Sequence, residues 1–325
     1  MRITDRGRHP EALVDDERTR GIPTTQHPAY ATTYAPRVLF GAHVSAAGGI
    51  STAVDRAAEL RCDAVQVFTQ SPRMWKPTAH ADEELARFRE RRGETRIRYV
   101  VCHALYLVNL ATTDREMHAK SMTAMRASLE TAAAIEADGV VFHLGSHLGA
   151  GLAKGLARAV PALRELLELT DDRLWLLLEN SAGAGGTIGR STDELADVLD
   201  RLDGHPRLGI CLDSCHWWVS GVDVTDPDAL DVAMTRLDET IGLDRLRCLH
   251  VNDADAGLGS NRDRHAPLEV GAMGTGLGTF LAHPAVQDLP AILETAGPDG
   301  TYVGELQLLR KLRSNGRRRR PKRWR

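Results

Sequence analysis

From residue 38 to residue 295, short apolar runs rich in β-branched residues alternate with longer stretches in which apolar positions recur at helical spacing. The short runs are VLFGAHVS (38–45), DAVQVFT (63–69), IRYVVCHA (97–104), GVVFHLGS (139–146), RLWLLLEN (173–180), LGICLDSC (208–215), LRCLHVND (246–253) and PAILET (290–295). Between them lie helix candidates such as STAVDRAAELR (51–61), HAKSMTAMRASLETAAAIEA (118–137), GLAKGLARAVPALRELLEL (151–169) and STDELADVLDRL (191–202). Ser191 and Glu194 in the last of these have capping-box spacing. Eight strands alternating with helices predict an α/β fold, a single-domain (β/α)8 TIM barrel. An open, doubly wound sheet is the alternative, but GAHVSAAGGIS after the first strand lacks the G-x-G-x-x-G phosphate loop. Residues 1–37 show no periodicity and read as a flexible N-terminal extension, residues 38–312 as the barrel domain, and residues 313–325 as a basic disordered tail.

The strand ends carry the chemistry. One Asp after an apolar strand is ordinarily a helix cap. Here six successive strands finish on a His, Asp or Glu: His103, His143 (with His147 beyond), Glu179, Asp213 (then His216), His250 (then Asp253) and Glu294. In a barrel those ends meet on one rim, where active sites are built. In the segment GSNRDRHAPLEVG, Asp263 and His265 are two apart, so both face one way in an extended loop. With His216 they form a further two-histidine, one-carboxylate set, which leaves coordination positions open as a catalytic metal requires. Nine such residues are too many for one ion, and mixed His and carboxylate donors suit zinc, manganese or iron. Two or three ions sharing a carboxylate is the arrangement used to cleave phosphodiesters.

Composition narrows the class. The 325 residues are 42% hydrophobic, 26% charged and 5% aromatic, as in a globular protein with a sizeable core. No apolar run approaches membrane-span length, and the N-terminus has no apolar signal region, so a cytoplasmic monomer with no membrane contact is expected. Five cysteines without a C-x-x-C pair read as reduced core residues. The last sixteen residues hold ten Lys or Arg and no acid; without them 44 acids face 31 bases, a net charge of −13. A tail that seeks phosphates is the natural reading.

The motifs GAHVSAAGG, HALYLVNLA, FHLGSHLGAG, LENSAGAGG, CLDSCHWWVSG, LHVNDADAGLGSNRDRH and ILET, in order over about residues 38–312, resemble those of the endonuclease IV family of apurinic/apyrimidinic endonucleases. The resemblance implies a TIM barrel with a trinuclear zinc centre, manganese replacing zinc in part, that cleaves double-stranded DNA 5′ to abasic sites and leaves a 3′-hydroxyl. It implies that His103 and His143 hold the first ion, and that Glu179 bridges it to a second held by Asp213, His250 and Glu294. His216, Asp263 and His265 then hold the third, and Glu179 and Glu294 are the catalytic carboxylates. SPRMWKP (71–77) is similar to the loop that enters the DNA stack, making Arg73 a wedge and phosphate contact, with Met74 and Trp75 adding bulk. Tyr106 and Leu107 would fill the space of a flipped nucleotide, and His43 and His147 would support ligands. One departure stands out: Glu269 occupies the first glycine position of a Gly-x-Gly that follows the Asp-x-His pair in the family, which would strain the loop if that position needs positive φ. The competing readings are a sugar isomerase or epimerase of the xylose-isomerase-like barrels, which has no use for His103, His143, His216, Asp263 and His265 together, and a non-catalytic nucleic-acid binder.

Overall fold

The structure, a computed structural model, describes residues 38–324; the expected N-terminal extension (residues 1–37) and Arg325 lie outside the described residues. In chain order the elements are β1 (Leu39–His43), α1 (Thr52–Glu59), β2 (Ala64–Phe68), α2 (Asp82–Gly93), β3 (Tyr99–His103), α3 (Arg115–Ala134), β4 (Gly139–Phe142), α4 (Leu152–Leu167), β5 (Trp175–Glu179) and α5 (Thr192–Asp200). There follow β6 (Leu208–Asp213), α6 (Ser214–Ser220), α7 (Pro227–Thr240), β7 (Leu246–His250), β8 (Asp253–Ala254), β9 (His265–Ala266), α8 (Leu277–Ala282), β10 (Pro290–Leu293) and α9 (Val303–Arg319). Eight parallel strands close in the order β1-β10-β7-β6-β5-β4-β3-β2. The seam is the β1–β10 ladder, with Gly41 opposite Ile292 and Ala42 opposite Leu293. The barrel is therefore the fold, and each of the eight apolar runs is one of its strands.

Inside the barrel Ala64, Val101, Val141, Leu177, Cys211, Cys248 and Ile292 pack as one apolar cluster. Gly41 takes the eighth place, because a Cβ there would strike the Ala64 carbonyl and the Ile292 side chain. Outside, the helices press their apolar stripes on the strands, as α4 does with Leu156, Ala159, Leu163 and Leu166, all buried. Burying each such leucine stabilises the fold by roughly 1.5–3 kcal/mol. At α5 the Ser191 hydroxyl accepts the Glu194 N–H at 3.2 Å. The Glu194 carboxylate completes only half of the box, accepting the amides of Gly189 and Arg190 instead. All five cysteines are buried and free. Among the described residues no helix is long and apolar enough to cross a membrane.

Two features depart from the sequence pattern. The first is the antiparallel pair β8–β9, Asp253 opposite Ala266 and Ala254 opposite His265, too short to produce a periodic signal. The second corrects the disordered tail. α9 continues without a break to Arg319, and Trp324 is 8% exposed. The stripe that holds it is Leu306, Leu309 and Leu312, all buried, then Gly316, whose missing side chain hides the continuation. A Cβ on Gly316 would collide with the backbone carbonyl of Gly278 in α8. The boundary expected at 312/313 therefore lies inside a helix. We expect Gly316→Ala to prise α9 from α8 and lower stability by about 1–3 kcal/mol, measured by chemical unfolding of the full chain.

Candidate metal centre

Side chains of a strand alternate between its faces, so the residue two places beyond each member of the apolar layer also points inward. Those residues are His43, Gln66, His103, His143, Glu179, Asp213, His250 and Glu294, one for each strand. The mouth of the barrel is thus a complete polar ring lying on an apolar floor. Six of the eight are expected site residues.

Glu179 stands at its centre, 1% exposed. Its Oε2 lies 3.3 Å from His103 Nε2 and 3.5 Å from His143 Nε2, and its Oε1 lies 3.0 Å from His250 Nδ1 and 3.3 Å from His216 Nδ1. One carboxylate so faces four imidazoles, two on each oxygen. His103 Nδ1 donates to the Ala104 carbonyl at 2.7 Å, which turns Nε2 toward the centre. Donor atoms of Glu179, Asp213, His250 and Glu294 lie within 4.8 Å of one another and form a second group. Donors of His216, Asp263 and His265 form a third, with Asp263 3.4 Å from His216 Nε2 and 3.5 Å from His265 Nε2. β6 delivers Asp213, whose Oδ1 also accepts the His216 N–H at 2.8 Å as the cap of α6. The cap and the candidate ligand are the same side chain. The β8–β9 pair carries His265 in from the long loop.

The charges fit cations. Burial alone would raise the Glu179 carboxyl, but His250, His143, His103 and His216 hold it well below the ordinary range. Glu294 is likewise held low against burial, chiefly by His250. Asp263, despite desolvation, is brought down to about 2 by its bond to His216 and the charges of His216 and His265. Burial works against a charged His250, but Glu294 and Glu179 raise it well above its usual value; Asp213, Asp263 and Glu179 do the same for His216. Burial dominates at His143 and keeps it low. Buried carboxylates balanced only by imidazoles are a donor set that a divalent ion fits, each ion taking over a charge that the protons supply.

Several residues that the sequence does not single out hold this set. Gln66 is fully buried; its amide donates to Glu294 Oε1 at 2.7 Å and to His43 Nδ1 at 2.9 Å, and its oxygen accepts from His250 Nε2 at 2.8 Å. That bond leaves His250 Nδ1 to face the centre. Asn252 Nδ2 donates to Asp213 Oδ2 at 2.7 Å and to Glu294 Oε2 at 3.1 Å. The Asn180 carbonyl accepts from His216 Nδ1 at 2.9 Å. The one available signal was an amide interrupting an apolar run, as in DAVQVFT. His43 Nδ1 lies 3.6 Å from Glu294 Oε1, and its ring rests against Phe68. His147 lies outside the cluster, where Nδ1 accepts the Gly151 N–H. Asp253 turns away and accepts the amides of Met273 and Gly274.

Tyr106 is 58% exposed and Leu107 38%. Tyr106 meets Phe68 and His103 edge-on or tilted, at 5.2 and 5.5 Å between ring centroids. It separates two clefts, of about 690 Å³ beside His143 and His265 and about 590 Å³ beside His43 and Gln70. Arg73 and Met74 are exposed on the loop 71–77, while Trp75 packs partly against the core. Glu269 does adopt positive φ, 62°. The strain falls beyond the third donor group, whose distances it leaves intact. Two residues on, a Cβ on Gly271 would meet the Ala254 carbonyl and Asp253 Oδ1 at 2.5 Å, so that glycine is required.

A family model described as "Xylose isomerase-like TIM barrel" matches residues 54–312. The chain is 38% identical over 256 residues to the probable endonuclease 4 of Halothermothrix orenii, covering 78% of this chain and 92% of that protein. It is 40% identical over 274 residues to the probable endonuclease 4 of Halorhodospira halophila, covering 83% and 92%. Endonuclease IV from Thermus thermophilus superposes with a TM-score of 0.76 at 36% identity, over 85% of this chain and 99% of that one. A D-tagatose 3-epimerase-like protein shares the fold at 18% identity, with a TM-score of 0.68 over 87% and 99%.

Gln66→Met keeps the volume and removes the hydrogen bonds. Loss of a ligand's supporting partner typically costs 10–100-fold in metal affinity, so we expect a drop of about that size in chelator competition, with near-normal folding. Glu269→Gly should relieve the left-handed backbone and raise stability by about 1 kcal/mol, read from denaturant midpoints, with metal content unchanged.

Proposed function

This chain belongs to the endonuclease IV family, and on that premise we propose that it is a metal-dependent endonuclease that cuts duplex DNA 5′ to an abasic site and leaves a 3′-hydroxyl. The observation that carries this reading is the convergence of nine His, Asp and Glu residues on the barrel mouth: donors of His103, Glu179 and His250, of Glu179, Asp213, His250 and Glu294, and of His216, Asp263 and His265 gather within 4.8 Å of one another, and His143 Nε2 lies 3.5 Å from Glu179. We assign His103, His143 and Glu179 to a first zinc, Glu179, Asp213, His250 and Glu294 to a second, and His216, Asp263 and His265 to a third, with manganese acceptable in part. When bound, such ions supply the Lewis acidity that polarises a phosphodiester and lowers the pKa of a water. The protein acts as a monomer in the cytoplasm.

The chain's own residues do the rest. Glu179 spaces the first two groups by offering one oxygen to each side. Gln66 and Asn252 fix Glu294 from opposite directions, so this carboxylate cannot swing into the cleft. Asp263, half exposed at 50% and ionised down to about pH 2, stays anionic at the lip of the cleft. Tyr106 and Leu107 stand where a nucleotide drawn from the stack must pass. An abasic nucleotide has no base to unstack, so it costs least to extrude, and this selects the substrate. Arg73, exposed on the loop 71–77, supplies a wedge and phosphate contact, and Met74 adds apolar bulk beside it. A sugar epimerase would leave His103, His143, His216, Asp263 and His265 without a task. A binder without chemistry would bury Glu179, Asp213 and Glu294 at a cost and gain nothing from them.

The test is a duplex with one abasic site, incubated with the purified protein, with chelator, and with chelator followed by zinc. Cleavage 5′ to the lesion, its loss and its recovery are expected, with close to three ions per chain by elemental analysis. Glu179→Gln should lose metal and reduce cleavage about a hundredfold or more. One ion per chain with full activity would overturn the assignment.

A further inference from the structure

The C-terminal segment has no part in the metal centre, yet the fold fixes it firmly. After α9 ends at Arg319 the chain turns at Pro321. Arg323 then bridges Asp228 at 2.5 Å and Asp231. Trp324 Nε1 donates to Asp231 Oδ1 at 2.6 Å, and its buried ring stands edge-on to His283, 4.8 Å between centroids. Asp231 also receives His283 Nε2 at 3.0 Å. The carboxylates nearest this segment are thereby consumed. Arg317, Arg318, Arg319 and Lys322 are exposed and Arg320 half-buried, and among the described residues none of the five has a carboxylate within ion-pair distance.

Its position follows from topology. Helices of a β/α barrel begin on the side where the strands end. Asp228 and Asp231 lie in the first two turns of α7, and Gly278, against which Gly316 packs, lies in the first turn of α8. α9 itself starts on that side and runs away from it, with Arg310 reaching the Arg61 carbonyl before β2 and Arg313 reaching Gln287 before β10, so the five cations are pinned to the outer wall of the barrel beside α7 and α8. Without the last sixteen residues the chain carries a net charge of −13, so this ridge is where a polyanion approaching the acidic body finds attraction.

We propose that the docked C-terminal segment is a second DNA-binding surface, a fixed basic ridge on the outer wall that takes the phosphate backbone of duplex DNA. This rests on the endonuclease reading above, since it supplies the duplex at the mouth. A ridge held in place loses little conformational freedom on binding, unlike a free tether. It also makes the duplex footprint longer than the mouth alone would give.

The experiment measures binding to undamaged 30-bp DNA across a salt series, beside cleavage of the same duplex with one abasic site. Truncation after Leu312 is unsuitable, because it strips Gly316 and Trp324 from the wall. The variant R317Q/R318Q/R319Q/K322Q removes exposed charge only. Each phosphate contact adds about 0.9 to the slope of log affinity against log salt, so a flattening of up to about 3.6 units is expected. Cleavage at saturating DNA and low salt should be unchanged. Asp231→Asn separates a fixed ridge from a tether. It removes a negative charge, which alone would tighten DNA binding, but it releases the clamp and should weaken binding instead. Parallel salt slopes for wild type and the quadruple variant, or tighter binding by Asp231→Asn, would overturn the proposal. Failure of the wild type to cleave abasic DNA would instead overturn the endonuclease reading, while the salt slopes would still decide the ridge.

Discussion

A buried carboxylate in the middle of four imidazoles is the interaction on which the mouth of this barrel depends. Glu179 is out of reach of water, and an ion in that position is stable only if its surroundings answer its charge. His103, His143, His216 and His250 come from four different strands or the helix that follows one of them, and all meet the two oxygens of Glu179. Taking that carboxylate away leaves imidazoles crowded against one another; taking an imidazole away leaves a desolvated anion. The same mutual need explains the supporting shell. Gln66 and Asn252 direct Glu294, Asp213 and His250 through their amides.

The loop that carries the third donor group is governed by carboxylates of another kind. Asp253 gathers the amides of Ala254, Met273 and Gly274, and Glu305 at the start of α9 accepts the Leu268 N–H at 2.8 Å. Burial keeps Glu305 above its ordinary range, with Asp299, Asp253 and Glu269 adding repulsion. These contacts anchor the residues after His265, so Glu269 can hold a left-handed backbone without displacing the donors. The first two groups are built at strand ends, whereas the third joins His216 of α6 to a braced loop, which accounts for the exposure of Asp263.

The barrel and the six His, Asp and Glu residues at its strand ends were readable from the chain because both follow from one period. A strand alternates sides every residue, and the step from Val101 to His103, Leu177 to Glu179, or Cys248 to His250 is visible as apolar sequence ending in a ligand type. What was not readable has no period. Gln66 looks like a polar interruption of a buried strand until His43, His250 and Glu294 are brought beside it from the far ends of the chain. The β8–β9 pair has only two residues per strand. The order of the C-terminal segment depends on Gly316, a residue whose contribution is a missing side chain, and on Asp228 and Asp231, which lie more than ninety residues before their partners. Composition alone treats such a segment as solvated charge.

The seam of the barrel has a consequence for the protein as it is being made. β10 pairs with β1, so the first and last strands are the ones that shut the ring. Glu294, just past the last strand, meets Gln66 and His43 from the first two. A chain emerging from the ribosome can fold successive strand–helix units, but the second donor group does not exist until residue 294 has cleared the exit tunnel and the ring has shut. This four-residue donor group is therefore withheld from the nascent chain. A polypeptide that stalls or is cut short before this strand lacks both the closed ring and the donor group that Glu294 completes with Glu179, Asp213 and His250.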